Sequence, residues 1–223
     1  NAGANPSNGA VINYYASEVT DTTKASIIIM DKNKSVIKTF STDSKDNKLD
    51  IVKGMNQFNW NLQYPPAETV DGMILWNGNP GGITAPPGEY YYRVKVGNDS
   101  AENNFTVVAD PNYKCSQQDY EAQFDFLQKV MGKFNEVQKG IKNIRDLRTQ
   151  ITGFVAKQGK DCPKDVKDMA DSITKRLTGI EETLYQTKSK SGQDVLNYPI
   201  RLNDKLSGVF DAAMSIYLDR FLN

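Results

Sequence analysis

The sequence predicts an α+β protein in two parts, an N-terminal antiparallel β-sandwich followed by an antiparallel three-helix bundle. Up to Asp110-Pro111, apolar and polar residues alternate in short runs broken by Gly, Pro and Asn, as they do in half-buried strands. Beyond that point apolar residues recur about every three to four positions with few helix breakers, as they do in amphipathic helices. We therefore expect a linker at residues 1–9, the sandwich at 10–110 and the bundle at 111–223.

The first part contains seven candidate strands. Phe58 and Trp60 alternate with Asn59 and Asn61, which is the period-two pattern of a strand with one buried face, so Trp60 is expected in the core. About seven short strands in a segment of this length are typical of an Ig-like or fibronectin-like sandwich. The candidate strands cover residues 10–16, 24–30, 36–41, 49–53, 57–63, 90–96 and 104–109.

A loop at residues 64–88 interrupts the predicted sandwich. It holds five prolines and five glycines around an apolar group at 73–76. Long loops in compact domains are commonly functional or packed on another element. Tyr64 and Trp76 are therefore the candidate site residues, and they have two interpretations. Their rings could stack on a sugar, or Trp76 could fill the gap between the sandwich and the bundle, which we favour because large aromatics commonly anchor interfaces.

The second part begins at Ser116, a predicted helix N-cap, because Asp119 would follow in the first turn, where negative charge is favourable. A first helix from 116 to about 157 carries a heptad pattern that Arg148 interrupts. Three antiparallel helices would bury their apolar stripes together. The stripes are Leu127, Val130, Phe134, Val137, Ile141, Ile144 and Ile151; then Val166, Met169, Ile173, Leu177, Ile180 and Leu184; then Leu202, Leu206, Val209, Ala213, Ile216 and Tyr217.

The composition excludes several classes of site. The chain has no histidine, which removes the commonest general base near neutral pH and the commonest zinc ligand. Lys plus Arg and Asp plus Glu both total 27, so no long-range field attracts nucleic acid or anionic lipid. No apolar run reaches the roughly 18 residues that a bilayer span requires, so we expect a soluble chain without membrane insertion.

The two cysteines, Cys115 and Cys162, are expected to be free thiols. If residues 116–157 form one helix, a rise of 1.5 Å per residue separates the two sulfurs by roughly 60 Å, far beyond the reach of a disulfide.

The segment that starts at Asp31 resembles the beginning of a calcium loop. However, Val36 stands where such a loop needs glycine, and Thr42 stands where it needs a bidentate glutamate. A polar hairpin turn is the favoured interpretation of this segment. No phosphate-binding glycine-rich loop occurs either. We predict no catalytic, cofactor-binding or metal-binding residues and no cofactor for this chain.

Several short segments together resemble the C-terminal region of bacterial sortilin-like, BNR-repeat β-propeller proteins of glycoside hydrolase type, common in Bacteroidetes. The segments are NPSNGAVI at 5–12, followed by Tyr14-Tyr15, KSVIKTF at 34–40, GMNQFNWNL at 54–62, GMILW at 72–76, PPGEY at 86–90 and NYPIRLNDKL at 197–206. The likeness spans nearly the whole chain. The propeller that would carry catalytic carboxylates is missing from this sequence, so no catalytic residue is carried over.

The resemblance implies a non-catalytic C-terminal accessory or structural module that mediates domain packing or protein interaction. It also implies an N-terminal β-propeller of the same polypeptide as the partner, and a periplasmic or extracellular location. The alternative function is a carbohydrate-binding module that uses the aromatics of the 64–88 loop. The last hypothesis is hydrolysis by a pair of carboxylates within this chain, although no sequence feature places two of them in an apolar cleft.

Overall fold

The computed structural model describes residues 8–112 and 114–219 of the chain, with side chains up to 215. Most of the predicted linker, residues 1–7, and the side chains of Ile216 and Tyr217 lie outside the described residues. The described residues group into two compact units. The first contains residues up to 65 together with 82–124, and the second contains 66–81 together with the residues from 125 onward.

The protein is α+β, with two antiparallel sheets followed by three α-helices among the described residues. The strands are β1 (Ala10–Ala16), β2 (Ala25–Met30), β3 (Val36–Ser41), β4 (Gly54–Trp60), β5 (Gly88–Val96) and β6 (Asp99–Val107). The helices are α1 (Gln117–Gln158), α2 (Lys164–Leu184) and α3 (Leu202–Asp219), with short 3-10 helices at Gly159–Asp161 and Gly192–Leu196.

The two sheets of the first unit share one hydrophobic core. Strands β1 and β4 form a two-stranded sheet, and the other sheet has the strand order β3-β2-β5-β6. Ile12 and Trp60 from the first sheet lie in the same core cluster as Ile27 and Tyr90 from the second. The indole of Trp60 is fully buried, and its N–H donates to the carbonyl of Gln63 at 3.2 Å. The prediction that Trp60 belongs to the core is therefore confirmed.

The predicted hairpin turn at Asp31 is confirmed, and a second hairpin turn joins β5 to β6. Between β2 and β3, the carboxylate of Asp31 accepts the backbone N–H groups of Asn33 and Ser35, both at 2.8 Å. This carboxylate therefore organises a turn. Between β5 and β6, Val96 pairs with Asp99 across a two-residue loop in which Gly97 has φ 58°. Glycine adopts this left-handed conformation without a steric penalty.

The predicted strand at 49–53 is wrong. Residues 49–53 form no strand, and the nearest pairing is an isolated bridge between Lys48 and Ser41, just before the segment. The side chain of Asn56 replaces a neighbouring strand, because its oxygen accepts the N–H of Val52 at 2.9 Å and its nitrogen donates to the carbonyl of Val52 at 2.8 Å. The period-two pattern detects the buried Leu49 but cannot distinguish a strand from an extended loop that a side chain satisfies.

Strands β4 and β6 each begin earlier than predicted. Strand β6 starts directly after the turn at Gly97, and its first six residues are exposed and polar apart from Ala101. Their backbone pairs with β5 although their side chains bury nothing, so hydrophobic alternation gave no signal there. Strand β4 begins and ends three residues before the predicted strand at 57–63, and it ends at Trp60 because the chain turns at Leu62, which has φ 59°.

Helix α1 follows the prediction closely. The hydroxyl of Ser116 accepts the N–H of Asp119 at 3.2 Å, and the carboxylate of Asp119 accepts the N–H of Ser116 at 3.0 Å, which caps the helix start. Leu127, Phe134 and Ile141 are buried at successive heptad positions. The heptad pattern therefore identified the face of α1 that is buried.

Helices α2 and α3 bury only part of the predicted apolar stripes, because Val166, Leu177, Leu184 and Leu206 are half-buried while other stripe residues are exposed. On α2, Met169 and Ile180 are exposed, and Glu181 is buried. On α3, Leu202 and Val209 are exposed. Ala213 of the predicted stripe is buried, and the other buried residues of α3 are Asn203, Asp204, Ser207 and Phe210, which the stripe did not include.

The fully buried polar residues, Glu181 on α2 and Asn203 and Ser207 on α3, each lie one position after a predicted stripe residue, which is a rotation of about 100° around the helix. On both helices these buried polar residues make hydrogen bonds within the second unit, and those bonds favour burial of the face that carries them.

Gln138 on α1 is an unusual core residue. Its side chain is 1% exposed, and neither its amide oxygen nor its amide nitrogen has a hydrogen-bond partner among the described residues. A buried amide without partners lowers the stability of the folded state, because the unfolded chain hydrates it.

We predict that Gln138→Met raises the free energy of unfolding by about 1–2 kcal/mol, because Met has a similar length and needs no partner. Urea unfolding measures the effect. Gln150→Met, at an exposed position of the same helix, serves as the control and is expected to change the stability little. A destabilised Gln138→Met protein would contradict this interpretation and would indicate that the amide is bonded to water.

Candidate functional site

A segment at residues 66–81 lies against the helices of the second unit, and we call it the anchored segment. Its main contact is the carboxylate of Asp204, at the start of α3. This carboxylate accepts the backbone N–H of Trp76 at 2.9 Å and that of Asn77 at 3.1 Å. The side-chain nitrogen of Asn77 donates to the same carboxylate and to the backbone carbonyl of Asp204, both at 3.1 Å. Asp204 therefore fixes two consecutive residues of the segment.

Neighbouring residues of α3 extend this contact. The hydroxyl of Ser207 donates to the carbonyl of Gly78, and the amide of Asn203 lies 3.5 Å from the sulfur of Met73. Asn203, Asp204 and Ser207 occupy adjacent turns on one side of the helix, so they face the segment together. Binding to the segment satisfies these buried polar groups, and this explains why the polar face of α3 is buried.

Gly208 permits the close approach of this segment to α3. A Cβ atom at Gly208 would lie 2.9 Å from the side-chain nitrogen of Asn77. The absence of a side chain at this position therefore leaves room for the amide that bonds to Asp204.

The other two helical stretches also bind the anchored segment. Near its start, the N–H of Glu68 donates to the side-chain oxygen of Asn135 on α1 at 2.8 Å. In its middle, the N–H of Ile74 donates to the hydroxyl of Tyr185, which directly follows α2, at 3.3 Å. The N–H of Ala67 donates to the carbonyl of Pro80 at 3.1 Å, which brings the ends of the segment together. The segment is thus a fixed loop with bonded backbone groups.

The candidate residue Trp76 lies in this anchored segment. Its backbone is fixed by Asp204, whereas its side chain remains 55% exposed. An indole held in this way presents an apolar surface on a rigid backbone, so binding a flat ligand would order few additional groups.

The candidate residue Tyr64 belongs to the first unit. Its ring is half-buried and packs edge-on against Phe124, with 4.9 Å between ring centroids. Burial, together with the charge of Asp31, raises the pKa of the Tyr64 hydroxyl to about 12, so this group is neutral at physiological pH. Tyr64 and Trp76 lie in different compact units, and the structure does not group them within one.

A buried ion cluster joins α1 to α2. Glu181 is 2% exposed, and its carboxylate accepts the Nε–H of Arg145 at 2.7 Å and a terminal N–H of Arg148. Arg145 also lies over the ring of Tyr185, 5.5 Å from its centroid. Arg148 is the residue that interrupts the heptad pattern. It occupies an apolar position because its partner is the buried carboxylate on α2.

The Glu181 carboxyl experiences two opposing effects. Burial alone raises its pKa, but hydrogen bonds and charge from Arg145 and Arg148 outweigh burial, so the pKa lies below its ordinary value. The group is therefore ionised near neutral pH and cannot act as a proton donor. Its role in this arrangement is to hold two guanidinium groups in fixed positions.

A metal site requires several ligating side chains close together, and a helical membrane span requires a long apolar helix. Across residues 8–112 and 114–219, no three His, Cys, Asp or Glu side chains come together as metal ligands. Within the same part of the chain, no helix combines the length and apolar character needed to cross a membrane.

The chain matches no protein-family model, no curated protein and no solved structure.

Sequence reasoning missed Asp204, Asn203 and Glu181 as organising residues. The apolar stripes drew attention to the neighbouring positions of α2 and α3. One available signal was Arg148 within an otherwise apolar heptad pattern, because a charge at such a position requires a buried partner. No comparable signal identified Asp204, whose partners lie more than 120 residues earlier in the chain.

We predict that Asp204→Asn lowers the free energy of unfolding by about 2 kcal/mol, because the amide retains only one oxygen for the N–H groups that the carboxylate accepts. Urea unfolding followed by tryptophan fluorescence measures the loss. Asp211→Asn, at an exposed position of the same helix, is the matched control and is expected to leave stability unchanged. Equal stability of the two variants would contradict the assigned role of Asp204.

We predict that Glu181→Gln destabilises the protein near neutral pH by about 2–3 kcal/mol, because it leaves two partly exposed arginines without their counterion. The folded pKa of Glu181 lies below the reference value of 4.5. Its stabilising contribution is therefore complete above that value and is lost as the pH falls through the folded pKa.

Unfolding measured from pH 7 to pH 3 should show a shallower acid slope for Glu181→Gln than for the wild-type chain. Glu182→Gln, at the exposed neighbouring position, should retain the wild-type slope. Identical slopes for the wild-type and Glu181→Gln proteins would show that the ion cluster does not control acid stability.

Proposed function

We propose that this chain is a non-catalytic accessory module of a larger exported protein of the propeller-bearing glycoside hydrolase type. In this proposal it lies C-terminal to a β-propeller of the same polypeptide and mediates domain packing or protein interaction. The proposal depends on what the buried carboxylates of the second unit bind. Asp204 binds backbone amides and Glu181 binds two arginines, so both carboxylates have structural contacts.

The charges of the carboxyl groups also support a non-catalytic role. Glycoside hydrolysis requires a carboxylic acid with a raised pKa beside an ionised partner. Among the described residues, the carboxyl groups with a clear pKa shift are Glu102, Glu181 and Asp194, and hydrogen bonds or nearby cations lower the pKa of each. None of these three groups is therefore suited to donate a proton to a leaving group.

The finer architecture forms part of the same proposal. The first unit would be an Ig-like or fibronectin-like sandwich, which the shared core of its two sheets supports. The second would be an antiparallel three-helix bundle, supported by the anchored segment that binds residues on or directly beside each helix. In this proposal the two units act as a spacer or a packing surface within a larger chain. The periplasmic or extracellular location and the propeller partner rest on the sequence resemblance.

Intact-mass spectrometry of the gene product, isolated from its native host with an antibody against this chain, tests the proposal. We expect a polypeptide much larger than 223 residues whose peptides include a propeller. A stand-alone mature protein of this length would overturn the proposal. Turnover of aryl glycosides by the purified chain would overturn the non-catalytic assignment separately.

The exposed indole of Trp76 favours one second function, carbohydrate binding. Its backbone is fixed and its ring is open, which is the arrangement that a sugar-stacking platform requires. Tyr64 contributes less to this hypothesis, because its ring is half-buried against Phe124.

If Trp76 binds sugars, the wild-type chain should bind some sugars on a glycan array. The Trp76→Ala variant should bind the same sugars about tenfold more weakly or not at all. The matched control is Tyr198→Ala, which removes another partly exposed aromatic of the second unit and should keep the hits. An array without hits for the wild-type chain would remove this second function and leave the packing proposal intact.

A further inference from the structure

A polar cleft lies over the buried ion cluster of the second unit. Its volume is about 480 Å³, which is sufficient for a small molecule. Three parts of the unit form its walls, namely the anchored segment, one turn of α1 and the chain from the end of α2 onward. The lining includes Gly72, Arg145, Arg148, Glu181, Tyr185, Ser189 and Lys190.

The charges of the lining favour an anion. Arg145, Arg148 and Lys190 provide three cations, and the carboxylate of Glu181 is the only anionic group among the lining residues. Because Glu181 accepts one nitrogen from each arginine, it neutralises part of the positive charge but leaves an excess. A guanidinium group has five N–H donors, so both arginines retain donors for another oxygen ligand.

Two hydrogen-bond donors of the lining residues have no acceptor among the described residues. The hydroxyl of Ser189 is buried and has no partner among the described residues, and the same is true of Nε of Arg148. Ser189 is only 6% exposed. A buried polar atom without a partner costs stability unless water or a ligand bonds to it. The Tyr185 hydroxyl accepts the N–H of Ile74 and so keeps its own hydrogen available for donation.

The parts of the cleft are held in place before any ligand binds. Glu181 fixes the guanidinium groups of Arg145 and Arg148. The carboxylate of Asp194 accepts the backbone N–H groups of Lys190 and Ser191 at 2.6 and 3.0 Å, which orders the loop that carries Ser189. The hydrogen-bond donors of the cleft are therefore preorganised, which reduces the entropy lost when a ligand binds.

We propose that this cleft is a binding site for a small molecule that carries an oxyanion, such as a carboxylate, sulfate or phosphate group. Arg145, Arg148 and Lys190 supply the charge, and Ser189 supplies a buried hydroxyl donor. The site is independent of the sugar-stacking function considered for Trp76, and it requires no catalysis. It also gives the unpartnered Ser189 hydroxyl and Arg148 Nε a ligand to bind.

Isothermal titration calorimetry of the intact chain with sodium phosphate, sodium sulfate and sodium glucuronate tests the site, with ionic strength held constant by sodium chloride. We expect saturable binding of at least one of the three probes. The probe that binds best distinguishes a phosphate or sulfate group from a sugar carboxylate. Absence of saturable binding for all three would overturn the proposal.

Two variants separate specific binding from general attraction. Ser189→Ala removes a hydroxyl that has no protein partner, so the fold should be retained while binding weakens by about tenfold. Lys190→Gln should weaken it to a similar extent by removing a cation. The control Lys129→Gln removes an exposed cation from α1 about 24 Å along the helix from Arg145 and should leave binding unchanged.

Circular dichroism of each variant checks that the helices remain folded. Equal binding by wild-type and Ser189→Ala proteins, or an equal loss with Lys129→Gln, would show that the anions bind by surface charge alone and would overturn the assigned site. As a second readout, phosphate titration followed by nuclear magnetic resonance should shift the amide signals of Ser189 and Gly72, and shifts confined to other residues would also overturn it.

Discussion

The second unit depends on the carboxylate of Asp204, which binds consecutive backbone N–H groups of the anchored segment. A loop that carries Pro, Gly and Asn has little helix or strand structure of its own to satisfy its backbone. Asp204, with Ser207 and Asn203 beside it, supplies those partners from α3. The consequence is that α3 buries a polar face and leaves Leu202 and Val209 exposed.

Glu181 has the corresponding role on α2. Its bonds to Arg145 and Arg148 select the face that α2 turns inward, and they leave Met169 and Ile180 exposed. Two buried carboxylates therefore orient two helices. The anchored segment links these contacts, because Ile74 binds Tyr185 beside the ion cluster while Trp76 binds Asp204. The polar cleft and the exposed indole are thus supported by one network of hydrogen bonds.

Features that depend on local sequence patterns could be predicted from the sequence. Alternation located most strands and placed Trp60 in the core, while the heptad pattern found the buried face of α1. The sequence patterns did not predict places where a polar side chain, rather than a neighbouring strand or an apolar face, binds the backbone. Asn56 substitutes for a strand beside residues 49–53, and Asp204 binds residues far away in the chain. Hydrophobic periodicity contains no information about such contacts, since the residues involved are those it treats as exposed.

Amide hydrogen exchange of the native chain tests most directly whether the anchored segment is fixed in this way. The N–H groups of Trp76 and Asn77 are bonded to Asp204, so they should exchange as slowly as amides in the interior of α3. Exchange of these two amides at the rate of an open loop would contradict the account.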